Sequence, residues 1–450
     1  MSTYVLYRLI NHFKRAVLIG WPFFLFFKNL VVRIIFVFFV VLILTSCGNL
    51  ITYNGLTDEI QHEKKSKHVI TLVADQVSDD LILAVGSGNS SYILNKSGER
   101  LWNWKFDENL GNDLKLLPSA HVLAMFNNEE SPFKFGGGYS GLTQIIDFND
   151  SITWEFEYAT KDFLTHHESI FLPNGNLLML SWERVTQEVA NMHGVNMDGD
   201  IFPEKIIEVD TTNKEIIWQW RSWEHIIQDY DATKLSYGDI FQNKQLIDIN
   251  YALRKNGDIM HANGIFYDKT KDVIFISVNH YSEIWVIDHR YNTKETSGTS
   301  GDLLFRLGNP RAYKDTLSNI LFDRVHTPNL IPPGYPGSGN LLLFNNGLKA
   351  KRSSVYEFNI PEELTIDNID KSHLIWSFSD DSLSYGRISG AYRLSNGNTL
   401  ICEGDYGFWE VTDRNKIVWK YKDISNTFWR GYPINQNHKI FSLVRDFMDE

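Results

Sequence analysis

Apolar and polar positions recur along most of the chain in two alternating hairpin patterns. In the first pattern, a strand and a polar turn are followed by two apolar residues, an aromatic residue, any residue and a large side chain. Its copies end at Trp104, Phe156, Trp220, Leu307, Phe378 and Tyr421. Alternation that is interrupted by Asn, Asp, Gly or Ser is typical of β-hairpins. The first pattern therefore predicts six antiparallel strand pairs.

The second pattern lies between these copies and joins two apolar strands by a Pro-Asn-Gly-Asn type of turn, as in SIFLPNGNLLML at residues 169–180. Asn and Gly accept the positive φ of tight turns. Two hairpins form a four-stranded sheet, and six such sheets bury both faces most economically when they surround an axis. We predict an all-β fold over residues 69–450: a six-bladed β-propeller of four-stranded antiparallel blades, with seven blades as the alternative.

The spacing of the copies predicts how the ring is elaborated and closed. The fourth copy has Phe305 where most others have Trp, and it lies 87 residues after Trp218, so we expect long insertions in the middle blades. The half-repeat after Trp429 has no partner hairpin of its own. We expect it to pair with a strand in residues 69–87 and so leave no bare sheet edge.

The N-terminal segment predicts export. An unbroken apolar run at residues 34–44 follows Arg33 and precedes Thr45, Ser46 and Cys47, the order found in a secretory signal peptide. Leu-Thr-Ser-Cys resembles the lipobox of bacterial lipoproteins, in which the chain is cut before a diacylated thiol. We expect residues 1–46 to be a signal peptide with a lipobox, or alternatively an uncleaved membrane anchor, and residues 47–68 to be a tether.

Either alternative attaches the chain to a membrane and places its body in the cell envelope, facing the periplasm, because basic flanks stay in the cytoplasm. The formal net charge of −12 argues against binding to nucleic acid, whose phosphates favour Lys and Arg. Cys47 and Cys402 are too few for a disulfide framework or a cysteine metal site. The glycine run at residues 136–138 lacks the Lys of a phosphate-binding loop, and we expect it to connect two blades.

Four of the 14 histidines stand at the start of second-pattern hairpins: His166, His167, His261 and His326. Equivalent positions in successive blades face the central funnel, so we expect these side chains to converge. A neutral imidazole is a competent nucleophile near pH 7. Three histidines with an open position would also suit zinc, but nothing in the spacing requires a metal, and we predict neither a metal nor a cofactor.

Four motifs in order resemble the bacterial arylsulfate sulfotransferase family, exported β-propeller enzymes that do not use the adenylylated sulfate donor. They are HHESIFLPNGN at residues 166–176, His261-x-Asn263, His326-Thr-Pro before LLLFNNG, and SGAYRLSNGNTLICEGDYGFWEVT near the C-terminus. The resemblance covers about residues 90–445. It implies a ping-pong transfer of a sulfuryl group from a phenolic sulfate ester to a phenolic acceptor through a sulfohistidine.

On this resemblance His326 is the nucleophile, while His261, His167 and Asn263 stabilise the charge that develops on the sulfuryl oxygens and on the leaving phenolate. His166 is the alternative to His167, which we prefer because Glu168 follows it as a possible orienting carboxylate. Aromatic side chains such as Tyr281, Phe266 and Trp429 are candidates to hold the phenyl ring, although packing is the simpler role for each.

One position departs from the family pattern. Where the family has an arginine that holds sulfate oxygens, this chain has Asn279, which removes a fixed charge and a planar donor fork. Arg324, Arg387 and His280 are the candidates to compensate. We predict that Asn263, Asn279, His166 and Arg324 contact the substrate. The rival hypothesis is a propeller lipoprotein that binds protein or envelope polymer without catalysis.

Overall fold

The computed structural model describes residues 66–128, 133 and 137–449. Within them the chain forms six antiparallel β-sheets in a propeller ring, which confirms the predicted fold with six blades rather than seven. The predicted signal or anchor at residues 1–46, the lipidation site Cys47 and residues 48–65 of the tether lie outside the described residues. Among the described residues, no helix is both long and apolar enough to span a bilayer.

The strands are numbered in chain order. The first half comprises β1 (Val69–Leu72) in blade 6; β2 (Leu81–Gly86), β3 (Ser90–Leu94) and β4 (Arg100–Lys105) in blade 1; β5 (Leu110–Leu116), β6 (Val122–Asn127), β7 (Gly141–Ile146) and β8 (Ile152–Glu157) in blade 2; and β9 (Phe163–Phe171), β10 (Leu177–Glu183), β11 (Glu204–Asp210) and β12 (Glu215–Arg221) in blade 3.

The second half comprises a two-stranded parallel pair, β13 (Ile226–Ile227) and β14 (Ile247–Asp248); β15 (Ala262–Asp268), β16 (Val273–Val278), β17 (Glu283–Asp288) and β18 (Phe305–Leu307) in blade 4; β19 (Val325–Leu330), β20 (Leu341–Asn345), β21 (Ser354–Asn359) and β22 (His373–Phe378) in blade 5; β23 (Gly390–Arg393), β24 (Thr399–Glu403), β25 (Gly407–Val411) and β26 (Ile417–Lys422) in blade 6; and β27 (Phe428–Ile434) in blade 1.

In the part of the chain that the structure describes, three short α-helices lie outside the blades: α1 (Gln187–Met192), α2 (Thr293–Thr296) and α3 (Ile440–Asp449). The same part contains four 3-10 helices, which span Ser222–His225, Thr299–Gly301, Pro310–Tyr313 and Ile366–Lys371. The longest insertion, residues 222–261, joins blade 3 to blade 4. The middle blades therefore carry the insertions that the spacing predicts.

Burial along the strands follows their place in the blade. Every residue of β10 and β16 is buried, because both faces of an inner sheet position are covered by neighbouring blades. The fourth strand of each blade carries the aromatic residue of the first pattern, and the Trp104, Trp220 and Trp419 side chains on these strands are at most 1% exposed. The sequence pattern thus located the outer strands correctly.

The ring closes where the sequence predicts. Leu81 of β2 pairs with Ile434 of β27, so blade 1 combines strands from both ends of the propeller. In addition, β1 pairs with β26 at the outer edge of blade 6. The two ends of the propeller are therefore held together by strand pairing in blades 1 and 6.

Bulges near the beginning of several inner strands position the candidate site. Pairing shifts register in β9, β15 and β19, and next to these shifts His167, His261 and Thr327 have φ of 55°, 53° and 54°. A bulge redirects the side chains of a strand, and non-glycine residues adopt positive φ only where surrounding contacts compensate the strain. The bulges therefore help to determine which side chains face the axis.

Candidate functional site

Three histidines contact one another where β9 and β15 begin. The Nδ1 atoms of His166 and His167 are 2.8 Å apart, and the ring centroids of His167 and His261 are 4.7 Å apart in an edge-on contact. Trp182 stacks on His166 at 3.9 Å. Burial, followed by the charges that His261, His166 and His326 carry when protonated, lowers the pKa of His167, so the fourth predicted histidine is also near. We call His166, His167, His261 and His326 the histidine cluster.

A carboxylate that sequence analysis missed supports this cluster. Glu204 Oε2 is 2.9 Å from His166 Nε2, and Glu204 Oε1 accepts the backbone N–H of Ala262 at 2.7 Å. Glu168 does not orient His167 as expected. It forms an ion pair with Lys115 and accepts the backbone N–H of Ile265 at 2.8 Å. Adjacency in sequence was misleading because the side chain of Glu168 is engaged by other strands.

His261 is paired with Asp258, whose Oδ2 is 2.6 Å from Nδ1 of the ring. Burial alone would lower the pKa of His261, but the charge of Asp258 and this hydrogen bond outweigh burial and raise it. His280 stacks on His261 with ring centroids 5.1 Å apart, and burial lowers the pKa of His280 to about 3. At neutral pH His261 is therefore the ring that favours a positive charge, and His280 is neutral.

One group among the described residues has atoms spaced for a metal ion: Asp258, His261 and His280, with ligand atoms within 4.8 Å of one another. This group shares only His261 with the three-histidine zinc site that the sequence analysis considered. Ligand atoms around tetrahedral zinc, with bonds of about 2.0 Å, lie roughly 3.3 Å apart. The 2.6 Å contact between Asp258 and His261 is instead a direct hydrogen bond.

His326 is 4% exposed and is held by Asn346, whose Oδ1 lies 2.5 Å from Nδ1 of the ring. Burial, followed by the charge of Arg430, lowers the pKa of His326 well below its usual value, so the ring is neutral near pH 7.

Asn263 is engaged within the protein: its Nδ2 donates to the backbone carbonyl of Val325 at 3.0 Å, and its Oδ1 accepts from Ser277 Oγ at 2.6 Å.

The guanidinium of Arg324 lies at Asn279, the position where the family arginine is missing. Its Nη1 donates to Oδ1 of Asn279 at 3.1 Å and to the backbone carbonyl of Asn279 at 3.3 Å. No carboxylate among the described residues forms a salt bridge with Arg324, and burial followed by the nearby charge of Arg254 lowers its pKa. Arg387 is exposed.

A buried network of charges lies further along the inner strands. Lys115 forms ion pairs with Glu168 and, at 3.3 Å, with Asp113, and Asp113 accepts a hydrogen bond from the hydroxyl of Tyr432 at 2.6 Å. Arg430 donates to the backbone carbonyl of Asn263 at 2.8 Å. We call Asp113, Lys115, Glu168 and Arg430 the axial charge network. Sequence analysis did not identify Arg430, although its charge acts on the proposed nucleophile.

Among the described residues, the aromatic candidates form no ring contact with the histidine cluster. Tyr281 is fully buried in the hydrophobic core and donates to the backbone carbonyl of Asp248 at 2.7 Å. Trp429 packs at the periphery of another core cluster. Phe266 lines a cavity of about 780 Å³ at the other ends of the inner strands. Trp182, which the sequence did not single out, is an aromatic side chain that does contact the histidines.

The described part of the glycine run, Gly137 and Gly138, has a different place from the one expected. Gly138 lies between β6 and β7, inside blade 2, and so does not connect two blades. Its φ is +78°, and a Cβ atom on it would lie 2.1 Å from the His167 ring. Gly138 therefore lets the backbone cover the face of His167.

A six-bladed β-propeller with a histidine cluster at the start of its inner strands is the class of protein that these observations define. The family model for arylsulfotransferases (ASST) matches residues 66–431, and the chain belongs to this family, as the sequence motifs indicate. Its general function is accordingly arylsulfotransferase-like. No curated protein matches.

Two solved structures with a matching fold are distant from this chain in sequence. A 6-phosphogluconolactonase candidate from Bacteroides fragilis is 11% identical, with 80% of this chain and 99% of that one covered and a TM-score of 0.40. The hydrazine synthase of Kuenenia stuttgartiensis is 10% identical, with 61% and 66% covered and a TM-score of 0.36. Similarity at this level supports no inference about function.

Proposed function

We propose that this protein transfers a sulfuryl group from a phenolic sulfate ester to a phenolic acceptor by a ping-pong mechanism, with His326 as the nucleophile. The observation that carries the proposal is the contrast within the histidine cluster, where burial keeps His326 neutral and Asp258 favours a positive charge on His261. Neighbouring groups whose pKa values diverge in this way are suited to different roles, the neutral imidazole as a nucleophile and the protonated one as an acid.

The proposed first step forms one bond and breaks one. The lone pair on Nε2 of His326 attacks sulfur, the S–O bond to the phenol breaks, and the electron pair leaves on the phenolate oxygen. His261 gives that oxygen its Nε2 proton while Nδ1–H continues to donate to Asp258. In the second step the acceptor phenol returns a proton to His261 and attacks sulfur, which restores His326.

Arg324 is proposed to replace the missing family arginine. The contact between Arg324 and Asn279 supports this role, because it brings a guanidinium to the position where the family arginine is missing. Among the described residues, Nε and Nη2 of Arg324 form no hydrogen bond, which leaves these donors available for sulfuryl oxygens. Asn279 would then position a cation rather than supply one. His167 would complete the binding of the sulfuryl group through its Nε2, which forms no hydrogen bond among the described residues. His166 would orient His167, because its own ring nitrogens are engaged by His167 and Glu204.

The test uses the purified protein, a nitrophenyl sulfate as donor and a second phenol as acceptor. Coloured phenolate should be released in the presence of the acceptor, and His326→Ala should abolish its release. His373→Ala, which changes an exposed histidine on β22, is the matched control and should leave the rate unchanged. No turnover in the wild type, or unchanged turnover in His326→Ala, would remove the proposal and favour a non-catalytic binding protein.

We also propose that the chain is exported and anchored through a lipid on Cys47. The Leu-Thr-Ser-Cys sequence after an apolar run supports this proposal. Cys47→Ala should block maturation and give a slower-migrating, unprocessed chain. Unchanged electrophoretic mobility together with full membrane retention of this variant would favour an uncleaved anchor.

A further inference from the structure

The hydrogen bonds around Asn346 determine which nitrogen of His326 carries the proton. Nδ2 of Asn346 is 2.7 Å from the backbone carbonyl of Tyr385 and 3.0 Å from that of Ile388. Carbonyl oxygens only accept, so the amide nitrogen must face them and Oδ1 must face His326. Because Oδ1 also only accepts, the ring must donate Nδ1–H across the 2.5 Å contact.

The other nitrogen of the ring is free of such a constraint. Among the residues that the structure describes, none is hydrogen-bonded to Nε2 of His326. A neutral imidazole carries one N–H and one lone pair. With the proton on Nδ1, the lone pair is therefore on Nε2.

We propose that Asn346 is a positioning residue that fixes His326 in its Nδ1–H tautomer and so presents the Nε2 lone pair to sulfur. This inference rests on the proposed function for its chemical consequence, although the tautomer itself can be measured without turnover. Asn346 follows β20 directly and belongs to the same blade as His326. The carbonyls that orient it, those of Tyr385 and Ile388, lie in the connection from blade 5 to blade 6, so blade 5 and this connection together set the tautomer.

The identity of the acceptor also matters for the second transfer. Once Nε2 carries the sulfuryl group and Nδ1 keeps its hydrogen, the ring bears a positive charge. A neutral amide can accept the Nδ1–H bond but does not compensate this charge as a carboxylate would. The sulfuryl group therefore stays bonded to a cationic ring, which is a good leaving group when the acceptor phenol attacks.

The chain contains the opposite arrangement in the same cluster. Nδ1 of His261 faces the carboxylate of Asp258 at 2.6 Å, whereas Nδ1 of His326 faces an amide. A carboxylate favours the protonated imidazole through its opposite charge as well as its hydrogen bond. The neutral amide offers only the hydrogen bond, whose raising effect on the pKa of His326 is outweighed by burial and by the charge of Arg430. The two partners thus match the two proposed roles: proton donor for His261 and neutral nucleophile for His326.

Nuclear magnetic resonance of the full chain with ¹⁵N-labelled histidine tests the tautomer directly. We expect one ring, identified by its loss in His326→Gln, to show a protonated Nδ1 and an unprotonated Nε2 at pH 7. A proton on Nε2, or a doubly protonated ring at this pH, would overturn the inference. Absence of sulfuryl transfer in the wild type would overturn the proposed function instead and leave this measurement decisive for the tautomer.

A kinetic experiment tests the consequence. Asn346→Asp places a carboxylate beside Nδ1, and we expect kcat to fall by at least about tenfold, with the ¹⁵N titration of His326 moved to higher pH. Asn345→Asp is the matched control. Asn345 directly precedes Asn346, and its side-chain Oδ1 accepts the backbone N–H of Asp323 at 2.7 Å. Equal kinetics and equal ¹⁵N titrations in the two variants would contradict a positioning role for Asn346.

Discussion

Single residues of one type have different chemistry in the histidine cluster because each ring has a different partner. His166 faces the carboxylate of Glu204, His261 faces that of Asp258, and His326 faces the amide of Asn346. Burial adds a second influence, which lowers the pKa of His326 and His167. The proposed division of labour therefore depends on the partners as much as on the histidines.

The first prediction concerns Asp258 and the pH dependence of the proposed transfer. If His261 must be protonated, activity is retained below its raised pKa and is lost as pH rises through that pKa. Asp258→Asn removes the charge that raises it, so the alkaline limb of kcat/KM should move to lower pH. The measurement is kcat/KM for a nitrophenyl sulfate across the pH range.

Asp272→Asn is the matched control for this prediction. Asp272 also pairs with a histidine, His289, at 2.8 Å, but the pair lies outside the histidine cluster. Its removal should leave the pH profile in place. An alkaline limb that stays unmoved in Asp258→Asn would show that protonated His261 is not the required acid.

At the scale of elements, the strands followed from the sequence and the irregularities did not. Alternating polarity and turns such as LPNGN are local signals, so β9 and β10 could be predicted as a hairpin. The bulge at His167 could not, because its positive φ is stabilised by contacts with other segments. One such contact is the hydrogen bond from the backbone N–H of His167 to the carbonyl of Gly138, 2.8 Å long.

The second prediction tests the packing of Gly138 against His167 through Gly138→Ala. The new Cβ would overlap the His167 ring, from which it would be 2.1 Å away, and the residue would have to keep a φ of +78°. Left-handed backbone costs an L-residue about 1–2 kcal/mol, and displacement of the ring is an additional effect. We expect lower stability together with a clear fall in kcat, measured by thermal unfolding and by turnover of a nitrophenyl sulfate.

Gly175→Ala separates the two effects. Gly175 has a φ of +88° in the LPNGN turn, and nothing lies within 4 Å of the position of an added Cβ. This variant should lose a similar amount of stability from strain alone and keep its kcat. If both variants lost kcat equally, the packing of Gly138 on His167 would have no functional importance.

At the scale of the whole molecule, ring closure could be predicted and the axial charge network could not. The unpaired half-repeat after Trp429 required a partner strand, which β2 supplies. The network brings together Lys115 from blade 2, Glu168 from blade 3 and Arg430 from blade 1. A sequence does not show which isolated charges meet in this way, because the meeting depends on bulges and on the packing of several blades around one axis.

The last prediction follows from the burial of that network. Lys115 compensates Glu168 and Asp113, which are 5% and 2% exposed, and removal of one partner from a buried ion pair leaves an uncompensated charge that costs about 3–5 kcal/mol. Lys115→Met should lower the free energy of unfolding in urea by about that amount. Adding Glu168→Gln to Lys115→Met should cost less than the sum of the two single changes, because the two groups interact directly.

Arg352→Met is the control, since its 3.3 Å pair with Asp381 is exposed and worth about 0–1 kcal/mol. Strictly additive effects of Lys115→Met and Glu168→Gln would mean that the two charges do not stabilise each other.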